Sequence, residues 1–175
     1  MRALPLGSVV GAVAGLVFVL VNAAAVPGAL VWRIAGSVAF AAVVWFVARG
    51  PQLTPAPPSR EALRTYGVSV VAMLVALPVG GAVITNILDK PDAVLVWVVF
   101  VVGAHFLPFA RAFHLPVFLW LSLSLVVVSV VGAVPALAFD SETAAGWTAV
   151  AAGFILLGFS AVGPRLNHPA PTRPG

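Results

Sequence analysis

The most deeply placed titratable side chain in the sequence is His105, within Gly103-Ala104-His105-Phe106-Leu107-Pro108. It stands six residues before Arg111, roughly 9 Å of helical rise. A neutral imidazole donates a hydrogen bond from one ring nitrogen and accepts at the other. Pro108 has no N–H to give to the carbonyl of Ala104, which leaves an acceptor close to the ring. Two uses follow: a structural, hydrogen-bonded histidine, or a site for a ligand or a proton. A second set of residues mixes a few polar anchors with indole walls: Asn22, Trp32, Arg33, Thr85, Asn86, Trp97 and Trp147. Converging at one depth, they would suit an outward-facing small-molecule pocket. Arg33 has a plainer use too, snorkelling to headgroups or pairing with Asp89, Asp92, Asp140 or Glu142.

Other chemistries are poorly supplied. The chain has no cysteine, so disulfides, thiolate metal sites and thiol nucleophiles are excluded. His105, His114 and His168 fall on different faces or segments without close carboxylates, and no metal site is expected. No Asp or Glu lies well inside any apolar run, which weakens proton transport through a buried carboxylate. Gly158-Phe159-Ser160-Ala161 with His105 loosely resembles the serine and histidine of rhomboid proteases. Ala161 replaces the second glycine of that motif, and the chain order is reversed. We therefore assign no catalytic residue, no cofactor and a non-enzymatic role.

The elements that must carry these residues are restricted by composition. Of 175 residues, 62% are hydrophobic and 8% charged, against about 25% charged in soluble domains. So few charges cannot keep so apolar a chain in water, and the expected class is an all-α, polytopic membrane bundle. A span needs roughly 20 apolar residues, and six runs qualify: about 5–25, 29–48, 62–87, 92–110, 115–138 and 143–163. They form one transmembrane domain over residues 1–163, followed by a disordered cytoplasmic tail over 164–175. This placement makes His105 the candidate intramembrane ligand or proton site. The first two runs need a tight reversal at Val26-Pro27-Gly28. Gly50 to Ser59 holds four prolines and reads as a stiff spacer.

Six spans put Arg2, Arg49, Arg60, Arg64, Arg111, Arg165 and Arg173 on one side, with Arg33 and Lys90 toward the other. The arginine-rich side is then cytoplasmic and both termini are cytoplasmic. The net charge of +4 marks that face, so no nucleic-acid partner is expected. All five tryptophans fall near span ends, as an interfacial belt requires.

In lipid, close approach of small residues supplies much of helix association. Gly7, Gly11 and Gly15 recur every four residues in the first span, and Ala145, Ala149 and Gly153 do so in the sixth. These are the expected helix-packing faces, within the chain or toward a partner. Pro78 followed by Gly80-Gly81 permits a kink in the third span.

Gly103 to Arg111, GAHFLPFAR, resembles a segment of uncharacterised small six-span bacterial integral membrane proteins. That resemblance implies a multi-pass protein of the bacterial inner membrane and no activity. The span count, termini and small-residue spacing are also similar to the substrate-binding S components of vitamin transporters, which implies capture of a small molecule. The leading expectation is action through helix packing, with the lipid bilayer around it and a homo-oligomer or membrane-protein partner. The alternative is a small-molecule carrier or substrate-capture subunit.

Overall fold

The computed structural model describes residues 6–50, 59–113 and 115–166. Seven α-helices appear among them: α1 (Leu6–Asn22), α2 (Ala29–Arg49), α3 (Arg60–Asn86), α4 (Ala93–His105), α5 (Leu107–Ala112), α6 (Pro116–Ala138) and α7 (Glu142–Leu166). The architecture is all-α with six spans long and apolar enough to cross a membrane, α4 and α5 together making the fourth. Helix α7 continues to Leu166, into the expected tail. Arg2, His114, His168, Arg173, the proline-rich stretch 51–58 and tail residues 167–175 lie outside the described residues.

Local chemistry sets the ends. Val26 is extended (φ −120°, ψ 149°), as the residue before a proline prefers. Gly28 takes φ +78° at the start of α2, a left-handed conformation that costs little without a Cβ. The Ser59 hydroxyl accepts from the Ala62 N–H at 3.1 Å, capping α3, and Glu61 in its first turn suits the positive end of the helix dipole. Helix α3 passes through Pro78 without a break.

Helix α7 is the hub, packing against α1, α2, α4 and α6. Its apolar stretch is 56% buried, whereas that of α3 is 6% buried. The reason is position: among the described helices α3 touches only α4 and α5, and α2 stands at the opposite edge against α1 and α7. The core between them is built from Val99, Leu121, Leu125, Ala149, Ala152 and Leu156.

The α1–α7 contact is a backbone approach. A Cβ at Gly15 would lie 2.7 Å from the carbonyl oxygen of Gly153, and one at Gly153 would lie 2.7 Å from that of Gly15. Gly11 faces the Ser160 hydroxyl, while Gly7 faces open space. Ala145 and Ala149 are buried elsewhere, against residues of α4 and α6. Each step of four residues turns about 40° on a helix of 3.6 residues per turn, so this stripe drifts from the α4 and α6 side toward α1.

Candidate functional site

Because α3 packs on the fourth span alone, the two leave a groove of about 640 Å³ between them. Its walls are apolar: Val68, Ala72, Met73 and Ala76 from α3, Phe100, Val101 and Ala104 from α4. One end is polar, with Glu61, Arg64 and Thr65 from the first turns of α3. The other meets Trp97, whose Nε1–H donates to the carbonyl of Ala76 at 3.0 Å. Gly80 makes this possible, since a Cβ there would overlap the indole. Trp97 stacks on Phe100 with centroids 5.7 Å apart. This pair separates the groove from a neighbouring apolar recess of about 360 Å³ between the end of α3, the start of α4 and the second half of α6.

Near the polar end the fourth span breaks. Phe106 N–H bonds back to Gly103 at 3.2 Å, and Phe109 N–H bonds to Phe106 at 3.1 Å. In an unbroken helix Phe109 would serve the carbonyl of His105. That carbonyl instead accepts from the Ser69 hydroxyl at 3.0 Å. The exposed acceptor is thus used one residue beyond Ala104, where Pro108 alone would have placed it. Ser69 Oγ also stands 3.0 Å from His105 Nδ1.

Read together as hydrogen bonds, these two contacts fit one tautomer of the ring. Ser69 has one hydroxyl hydrogen, and it goes to the carbonyl, which can only accept. For the second contact to be a hydrogen bond, Nδ1 carries the proton and donates to Oγ. Nε2 is then a bare acceptor, and it has no hydrogen-bond partner among the described residues. The ring is steadied by Phe109, edge-on at 4.6 Å, and Phe109 by Tyr66, stacked at 5.3 Å. Through these contacts the pair ties α3 to the fourth span.

The residues of the expected outer pocket divide into separate places. Trp32 and Trp147 meet edge-on at 5.1 Å, and Trp32 Nε1–H donates to the Pro27 carbonyl. Arg33 Nε donates to the Leu20 carbonyl at 3.2 Å, linking α2 to α1. Asn22 and Asn86 turn back onto their own helices, bonding the carbonyls of Phe18 and Ala82. Thr85 and Asn86 are exposed on α3, which touches neither α1, α2 nor α7. Trp97 lines the groove. The ion pair at this end is Lys90 with Asp140 at 2.7 Å. Ser160 is buried and donates to the carbonyl of Leu156. No cluster of three or more His, Asp or Glu able to hold a metal occurs among the described residues.

Sequence reasoning singled out His105 but missed Ser69, one small polar residue in an otherwise ordinary apolar run 36 residues away. It also assigned Trp97 by depth, which says nothing about the direction of the side chain. The fold defines a small six-span helical membrane protein with a laterally placed groove. Compared with protein-family models, curated proteins and solved structures, the chain finds no match.

Proposed function

We propose that this protein binds a lipophilic small molecule in the groove between α3 and the fourth span, as a carrier or capture subunit without catalytic activity. The observation that carries this reading is the groove itself: about 640 Å³, apolar along its length and polar at one end. Ligand sites combine mostly apolar walls with a few placed polar groups, and volumes of about 300–1,000 Å³ are typical. The alternative, action through helix packing on the first-span glycines, loses support because Gly11 and Gly15 face α7 of the same chain. A partner reading keeps one observation: the exposed side of α3, with Leu63, Val71, Leu74 and Val79, has no neighbour among the described residues. The proposed setting is the bacterial inner membrane, with the arginine-rich end cytoplasmic.

Native mass spectrometry of protein extracted gently from its own membrane tests the proposal. Ala72 lines the groove and is exposed, so Ala72→Trp fills the site without entering the core. A reproducible small molecule on the wild type, reduced at least about tenfold in the variant, is the expected result. A tenfold loss corresponds to about 1.4 kcal/mol. Equal retention by both, or none by either, would refute groove binding.

A further inference from the structure

We infer that the occupant of this groove is a membrane-dissolved lipophile bearing a neutral hydroxyl, which donates its hydrogen bond to Nε2 of His105. The inference rests on the groove reading and adds the chemistry of the ligand's polar end. Ser69 is what dictates it. By giving its only hydroxyl hydrogen to the His105 carbonyl, Ser69 obliges Nδ1 to donate to Oγ, so the remaining ring nitrogen can only accept. A carboxylate or ether oxygen offers that nitrogen nothing; a hydroxyl does.

The surroundings fit such a group. Thr65, one turn before Ser69 in the same lining, supplies a hydroxyl able to donate to the ligand's oxygen. Beyond this polar end the wall continues through Ala72, Met73 and Phe100 to Trp97, a stretch suited to an alkyl or prenyl chain. Nε2 has no hydrogen-bond partner among the described residues, and a ligand hydroxyl in the groove supplies one. Membrane lipophiles reach the site from the side, because among the described residues only α4 and α5 pack on α3.

The test uses the full chain in lipid nanodiscs, labelled with ¹⁵N at histidine, and two probes of matched length, dodecanol and dodecyl methyl ether. His105→Phe assigns the His105 resonances. The expected result has Nδ1 protonated before addition, and dodecanol shifting the Nε2 resonance. It also binds about fivefold more tightly than the ether, the worth of one net hydrogen bond. In His105→Phe that preference disappears, while Ala72→Trp removes binding of both probes. If alcohol and ether bind equally and Ala72→Trp removes both, the groove reading stands and the hydroxyl assignment falls. If neither probe binds, both fall. A proton on Nε2 in the empty protein overturns the assignment directly.

Discussion

Gly15 and Gly158 are both interior helical glycines, yet a methyl group added to each meets different surroundings. At Gly15 the new Cβ would lie 2.7 Å from the Gly153 carbonyl oxygen and 3.0 Å from both the backbone nitrogen and Cγ of Leu157. Two of those atoms are backbone, so relief requires α1 and α7 to move apart. At Gly158 the Cβ meets nothing within 4 Å. Both substitutions to Ala gain helix propensity of about 0.8–1.0 kcal/mol, which cancels in the comparison. Forcing an extra methyl into a packed contact costs about 1–3 kcal/mol. Gly15→Ala should therefore be less stable than Gly158→Ala by about 1–3 kcal/mol. Unfolding by SDS in mixed micelles, followed by tryptophan fluorescence, measures the difference. The shift should not depend on protein concentration, because the contact lies within one chain. Identical transitions for the two variants would refute the α1–α7 approach. A Gly15→Ala effect that varies with protein concentration would move the glycine face to an interface between chains.

Two further outcomes follow from the same structure. Lys90 and Asp140 pair at 2.7 Å with the carboxylate largely exposed, so Lys90→Ala should cost no more than about 1 kcal/mol, and less in high salt; a larger, salt-independent loss would show that Lys90 does something other than pair. Single cysteines at Gly50, after α2, and at Glu142, at the start of α7, should be labelled by an impermeant maleimide from opposite faces of the membrane, the first from the cytoplasmic side. Labelling from the same face would contradict the alternation of the spans.

Local chemistry made much of the fold legible. Helices satisfy their own backbone groups, so a span is recognisable from its own residues without knowledge of its neighbours. The turn at Val26-Pro27-Gly28 is equally local, since Pro27 constrains Val26 and Gly28 supplies the positive φ. His105 stood out for a related reason, as a titratable group deep in an apolar run.

Which face of a helix meets which neighbour is another matter. In a water-soluble bundle a polar face marks the outside, but here lipid and protein neighbours are both apolar, and a helix such as α4 is hydrophobic all round. Arg33 and Asn86 share a predicted depth yet sit on helices that never touch. Glycine spacing announced a close approach, while only the packing revealed that Gly15 finds Gly153 of its own chain. The sequence by itself determined the number of spans, because that follows from the solvent that each segment must satisfy. Tertiary structure alone decided that Ser69 reaches His105, that α3 stands apart, and that a groove lies between them. Those depend on helix rotation and order, and a hydrocarbon environment leaves no polarity pattern in the sequence to specify either.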